Sequence, residues 1–97
     1  MQAYHAAEID LCQLIHRDAD CAELAVKASV SADIGVVILH RGRPVGRWRH
    51  VRGHLRYFSI ISNDPFAVVS GVDDALETTV AMARENSWRN PMGAVVE

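Results

Sequence analysis

The sequence predicts a single small α+β domain, residues 1–97, in which a helical N-terminus and a C-terminal helix flank an antiparallel β-meander. Two observations support this fold class. Apolar residues recur at steps of three and four in residues 3–17 and again in 72–86, a spacing typical of amphipathic helices. Between these segments the chain changes to short β-branched runs separated by Gly- and Pro-containing turns, as in strands.

The N-terminal region is predicted to contain two helices. The first covers residues 3–17, and a break is expected at 18–20. Asp20 and Glu23 have the spacing of a capping box, so a second helix is predicted to start there and to run to about Ala28. Because no Gly or Pro forces the break, one continuous helix through both segments is the alternative.

Three strands are predicted in the middle of the chain. They cover residues 34–40, 45–51 and 54–62. Two-residue turns are predicted at Gly42-Arg43 and at Arg52-Gly53. The apolar run at 66–69 is a possible short fourth strand.

The C-terminal helix is predicted to begin where Ser70 and Asp73, and also Asp74 and Glu77, have capping-box spacing, and to end near Asn86. Beyond this helix, Trp88 is the expected anchor of the chain. The tail, residues 91–97, is predicted to be loosely ordered.

The net charge of −2 conceals a segregation of charge along the chain. Residues 34–63 contain six Arg and neither Asp nor Glu, whereas the remaining residues carry a net charge of −8. This asymmetry indicates either an anionic partner or two parts of one fold that neutralise each other. Arg outnumbers Lys nine to one, and together with abundant Ala and Val this usage is typical of a GC-rich bacterial genome.

The predicted hairpin registers divide the strand residues between two faces of the sheet, since side chains alternate along a strand. With the turns given above, Val37 lies opposite Trp48, and Arg49 lies opposite Arg56, an arrangement of like charges that destabilises a sheet. One face, the predicted bed for the helices, contains Val37, Leu39, Trp48, Leu55 and Tyr57. The opposite face is predicted to combine aliphatic and basic side chains: Val36, Ile38, Val45, Arg47, Arg49, His54, Arg56, Phe58 and Ile60.

This second face is the predicted partner-binding surface, with Arg47, Arg49, Arg56, Phe58, Val36, Ile38 and His54 as its contact residues. The preferred hypothesis is a non-enzymatic binding or regulatory module that holds an acidic protein surface or a second copy of itself as a homodimer. The alternative is a small nucleic-acid-binding protein that uses residues 40–57, where arginines alternate with aromatic residues. Intramolecular pairing with the acidic helices is the third possibility.

An enzyme is the less favoured class, because the sequence lacks a Gly-x-Ser-x-Gly, a His-Glu-x-x-His and a phosphate-binding loop. No catalytic residues are therefore predicted. Cys12 and His16 would share a helix face, but their spacing to Cys21 does not match a zinc site. The sequence thus predicts reduced thiols, no metal and no cofactor.

The longest apolar run, residues 36–39, is far shorter than the roughly 20 residues of a membrane helix. The first residues lack the basic and apolar regions of a secretory signal. A cytoplasmic protein without membrane contact is therefore expected.

Overall fold

The computed structural model describes residues 5–60 and 65–88, which form an α+β fold around an open, five-stranded antiparallel sheet. Its elements, in chain order, are α1 (Ala6–Arg17), α2 (Ala19–Glu23), β1 (Val26–Ser31), β2 (Gly35–His40), β3 (Arg43–Val51), β4 (His54–Ser59), β5 (Pro65–Val69) and α3 (Val72–Glu85). Strand order equals sequence order, so β1 and β5 are the edges. The predicted α+β class is confirmed. The predicted three-stranded meander lacks β1 and counts β5 only as a possible strand.

The break in the N-terminal helical region lies where the sequence predicts it, so the two-helix version is correct. Asp18, rather than Asp20, caps the second helix, because its carboxylate accepts a hydrogen bond from the backbone N–H of Cys21 at 2.9 Å. Within the described residues no helix is long and apolar enough to cross a membrane.

The strand β1 replaces the second half of the predicted helix. Ala25 follows α2 with a φ of 60°, a left-handed conformation that a continuing helix does not tolerate. Val26 and Ala28 are then buried, whereas Lys27 between them is exposed, which is the alternation of a half-buried strand. The prediction that this helix reaches Ala28 is therefore wrong for the residues after Glu23.

The start of α3 differs from the prediction, because its N-cap is Gly71 and no side chain caps it. Its end agrees: Asn86 adopts the left-handed conformation with a φ of 54°. Trp88 is 5% exposed and donates its indole N–H to Nδ1 of His40 at 3.0 Å, so it anchors the end of the described chain. The predicted loose tail, 91–97, lies outside the described residues.

The β2–β3 hairpin has a different register from the predicted one. Its turn is Arg41-Gly42, with φ values of 56° and 82°. A bulge follows, because Ile38 pairs with Gly46 while Leu39 pairs with Pro44. Val45 is therefore an extra residue in β3.

The bulge reverses the two faces of β2. A two-residue turn at 41–42 or at 42–43 without a bulge would place Val36 opposite an arginine, whereas the bulge places it opposite Trp48. Val36 and Ile38 are consequently 0% exposed and lie in the core. The predicted faces of these two residues and of Val37 and Leu39 are wrong.

The β3–β4 hairpin has the predicted register. Trp48 pairs with Tyr57, and Arg49 pairs with Arg56. The rings of Trp48 and Tyr57 are 5.4 Å apart at an angle of 59°, so this cross-strand pair forms the centre of the sheet.

The helices α1 and α3 contact each other and cover one face of the sheet. Trp48 donates its indole N–H to Thr79 Oγ1 of α3 at 2.9 Å, which satisfies the polar atom of a fully buried ring. The largest fully buried side chains of this core are Trp48, Tyr57, Leu11, Ile15, Ile38, Leu55, Met82 and Val36. The opposite face of the sheet has no helix packed on it in the described part of the chain.

Candidate functional site

The candidate site is the face of the sheet that points away from α1 and α3, named here the open face. It is formed by Lys27, Val37, Leu39, Arg47, Arg49, Val51, His54, Arg56, Phe58 and Val68. None of the five strands contains Asp or Glu. The open face therefore combines positive charge with apolar surface, of which Val51 is 36% and Val68 48% exposed.

Arg47 and Phe58 form a paired contact at the centre of the open face. They are directly opposite each other in β3 and β4. The guanidinium carbon of Arg47 lies 4.7 Å from the centroid of the Phe58 ring, which is a cation–π contact. This contact restricts the Arg47 side chain on the open face.

Arg49 is used within the chain. Its guanidinium donates hydrogen bonds to the backbone carbonyls of Asp33 and, at 3.1 Å, of Ala32, both in the β1–β2 turn. Its Nε also lies 4.0 Å from a carboxylate oxygen of Glu8 in α1. Arg49 thus stabilises one end of the sheet, and the repulsion expected from its neighbour Arg56 is reduced because its charge is directed toward the turn.

Arg56 has no such compensation. Its Nε is buried and has no hydrogen-bond partner among the described residues. Its cross-strand neighbours are Arg49 and Val68, neither of which accepts a hydrogen bond from a guanidinium through its side chain. The positive charge of Arg56 is therefore left without an acidic partner in the described part of the chain.

The acidic residues of the described chain lie away from the open face, on the helices, their caps and the turns. Two ion pairs connect basic and acidic side chains there: Arg49 with Glu8, and Arg84 with Asp20 at 3.3 Å. Internal neutralisation, one of the sequence-based possibilities, thus accounts for Arg49 and does not extend to Arg47 or Arg56 within residues 5–60 and 65–88.

The predicted contact residues divide into two groups in the structure. Arg47, Arg49, His54, Arg56 and Phe58 lie together on the open face. The other two, Val36 and Ile38, lie in the core and do not contribute to this face. Apart from Phe58, the apolar part of the open face comes from residues that the sequence assigned to the core or did not single out: Val37, Leu39, Val51 and Val68.

A polar contact at one end of α1 was not predicted from the sequence. Glu8 is 4% exposed, and its carboxylate accepts a hydrogen bond from the backbone N–H of His50 at 2.8 Å. The imidazole of His50 stacks on that of His5 with 3.6 Å between ring centroids. A single Glu in a first helical turn carries no sequence signal for such a long-range bond.

The cysteines and His16 have structural contacts. Cys12 Sγ lies 3.6 Å and His16 Nε2 2.7 Å from the same carbonyl oxygen, that of Ala28, so both side chains tie α1 to β1. Burial raises the pKa of the Cys12 thiol, and burial together with the nearby Asp18 raises the pKa of Cys21 to about 12. Protonated, buried thiols are poor nucleophiles and ligands. The described residues contain no group of three or more His, Cys, Asp or Glu side chains placed to hold a metal ion.

The chain was also compared with protein-family models, with curated proteins and with solved structures. None of these three comparisons gives a match. The candidate site is accordingly defined by the contacts, burial and charges given above.

Proposed function

We propose that this protein is a non-enzymatic binding module and that its open face holds an acidic surface of a partner protein. The observation that carries the proposal is the composition of that face. Lys27, Arg47 and Arg56 have no ion pair among the described residues, and each lies opposite an apolar residue of the neighbouring strand: Leu39, Phe58 and Val68, respectively. A partner with carboxylates set among apolar residues would satisfy both parts of the surface.

The mixture of Arg with apolar residues favours a protein partner. Protein interfaces are enriched in Arg and aromatic residues at their centres, and depleted of Lys and acidic residues. Arg47, whose guanidinium carbon lies 4.7 Å from the Phe58 ring centroid, has the donor pairs that a carboxylate binds through both of its oxygens. Exposed apolar surface around such a group is typical of interaction sites.

The charge of the open face favours an acidic partner over a second copy of this chain. In a two-fold dimer each face meets itself, so Arg47 and Arg56 would approach the same cations of the other protomer. Like charges in contact across an interface are unfavourable. The chain's own acidic residues lie on its helices and turns, away from this face.

A nucleic acid is the second candidate, favoured by two exposed arginines, Arg41 in the β2–β3 turn and Arg52 in the β3–β4 turn. Together with the open face they would contact phosphates over an extended surface. However, Trp48 and Tyr57 are 0% exposed, so neither is available for base stacking. Phe58, already covered by Arg47, is the aromatic side chain of the open face within the described strands.

A binding experiment with two probes tests the proposal. Fluorescence anisotropy would compare a labelled peptide of alternating Glu and Val with a labelled single-stranded DNA of similar charge, over a series of salt concentrations. We expect saturable binding of the peptide, weakened about tenfold or more by Arg47→Ala or Arg56→Ala, because each removes a charge-assisted contact. Arg52→Asn is the matched control, since it removes the same charge from a turn outside the open face and Asn tolerates the left-handed conformation of this residue.

Two results would contradict the proposal. Binding of the DNA with a steep salt dependence, without binding of the peptide, would favour the nucleic-acid candidate. Light scattering that gives twice the chain mass of 10.7 kDa, with Phe58→Asp restoring the monomer, would show that the open face is occupied by a second copy.

A further inference from the structure

A second basic surface lies on the helix-covered side of the molecule, at the end of the sheet where the β2–β3 turn approaches the end of α3. It is a cleft of about 680 Å³. Its lining residues are His40, Arg41, Arg43, Val45, Ala83, Arg84 and Asn86. Three of them are arginines and none is acidic, and none belongs to the open face.

The arginines of this cleft are available to a ligand. Arg41 and Arg43 are exposed and have no ion pair within the described residues. Arg84 pairs with Asp20 at 3.3 Å, and both side chains are 53% exposed. Exposed pairs of this kind contribute little to stability, so a stronger anion would compete with Asp20 for Arg84.

One wall of the cleft is held in place by a hydrogen bond. Trp88 donates its indole N–H to Nδ1 of His40 at 3.0 Å, so this nitrogen is an acceptor and the ring is neutral. The rings of the two residues are 5.3 Å apart. Binding sites for small molecules are usually formed before the ligand arrives, and this wall meets that condition.

The carbonyl end of α3 at the cleft does not oppose an anion strongly. The carbonyl of Met82 accepts hydrogen bonds from the backbone N–H groups of Asn86 and Ser87, and that of Ala83 accepts one from Asn86. Since these carbonyls are bonded, less of the negative end of the helix dipole faces the cleft.

We infer that this cleft binds a phosphate-bearing small molecule, with Arg41, Arg43 and Arg84 as its phosphate ligands. Three guanidinium groups match the oxygens of a phosphate monoester, because each group donates parallel hydrogen bonds to an oxyanion. The volume lies within the roughly 300–1,000 Å³ of small-molecule sites, which leaves room for the group attached to the phosphate. This inference is independent of the proposed partner binding, since the two surfaces share no residue.

The two tryptophans of the chain provide the readout. In ¹H–¹⁵N NMR spectra each gives one indole signal: Trp88 reports on the cleft wall, and Trp48, bonded to Thr79, reports on the core. Inorganic phosphate and pyrophosphate would be titrated at constant ionic strength set with chloride. We expect a saturable shift of the Trp88 signal and an unchanged Trp48 signal.

The variants exploit the similarity of the β2–β3 and β3–β4 turns. Arg41 and Arg52 have φ values of 56° and 53°, and each precedes a Gly. Asn accepts this conformation, so Arg41→Asn removes the charge while preserving the turn. We expect the double variant Arg41→Asn/Arg43→Gln to weaken binding of pyrophosphate at least tenfold, whereas Arg52→Asn leaves it unchanged.

Three results would overturn the inference: no saturable shift at millimolar phosphate, equal shifts of both indole signals, or equal weakening by Arg52→Asn. The last result would show that anion binding depends on the overall charge of the protein. A variant that fails to fold would be recognised from its Trp48 signal, and the single variant Arg84→Gln, outside the sheet, then provides the same comparison.

Discussion

The two faces of the sheet are built from the same strands, but they differ in how well their apolar side chains are buried and their polar groups are paired. On the covered face, apolar side chains are fully buried and the Trp48 indole is bonded to Thr79. On the open face, half-buried aliphatic residues lie among cations, and Arg56 retains a buried nitrogen without a partner in the described chain. Ile38 and Leu39 are neighbours of similar hydrophobicity and belong to different faces. Register, rather than hydrophobicity, therefore decides which residues form the core.

The largest expected difference in stability between the two faces comes from substituting single residues of β2. Ile38→Ala should lower the free energy of unfolding by about 2–5 kcal/mol, because it opens a cavity in a fully buried site. Leu39→Ala, on the open face, should cost about 1 kcal/mol or less. Urea denaturation monitored by circular dichroism measures both. A larger effect at Leu39 than at Ile38 would show that the register without the bulge is the real one.

Removal of the hydroxyl beneath Trp48 should have the next largest effect. Thr79→Val keeps the shape of the side chain but leaves the buried indole N–H without its acceptor, at a cost of about 1–3 kcal/mol. Thr79→Ser, which keeps the hydroxyl, is the control, and its loss of stability should be smaller. Equal losses in the two variants would mean that packing, rather than the hydrogen bond, determines the effect.

The stability of the protein should depend on pH through His40, which lies at the edge of the covered face. Burial, followed by the nearby Arg41, lowers the pKa of this imidazole from its ordinary value of 6.5. As the pH falls below 6.5, the unfolded chain therefore binds a proton that the folded chain does not, and stability decreases. Thermal melts between pH 7.5 and 5 should show a smaller decrease for His40→Asn, which keeps an acceptor for Trp88 but does not titrate. The same pH dependence in His40→Asn and in the unchanged protein would contradict a role of His40 in the pH dependence of stability.

The smallest expected effect is a gain in stability on the open face. Arg56→Met should raise the free energy of unfolding by a few tenths of a kcal/mol, because it removes an unsatisfied nitrogen and the repulsion by Arg49. The same variant should bind the acidic peptide more weakly, as expected where a surface is retained for function at a cost in stability. Unfolding and anisotropy measured on one preparation test both effects. A loss of stability would mean that Arg56 is compensated in the folded protein.

The extent to which the sheet is predictable differs between the β2–β3 and β3–β4 hairpins. The Arg52-Gly53 turn leads directly into regular pairing, so one turn assignment was sufficient for the β3–β4 register. In the β2–β3 hairpin the bulge at Val45 changes the pairing by one residue, and a two-residue turn at 41–42 or 42–43 without the bulge gives the wrong face. The available signal was Gly46, an isolated glycine within a strand. A side chain there would meet the Tyr57 hydroxyl, so the position requires glycine.

The candidate site was predictable in its charge and not in its contacts. Strand alternation places Arg47 and Arg56 on one face whichever residues of β2 lie beside them. The use of Arg49 within the chain depends on the carbonyls of the β1–β2 turn. That turn is visible from the sequence only if the alternation of Val26 and Ala28 is recognised as a strand, and the preceding helical pattern concealed it.

The order of the strands also has a consequence for how the chain folds. Each strand pairs with its neighbour in sequence, so the whole sheet forms by closing short loops, which costs little chain entropy. The contact between α1 and α3 is different, because it joins segments separated by the entire sheet. Topologies dominated by local pairing fold quickly. The slow event should therefore be the meeting of the two helices over Trp48, after the hairpins that carry the open face have formed.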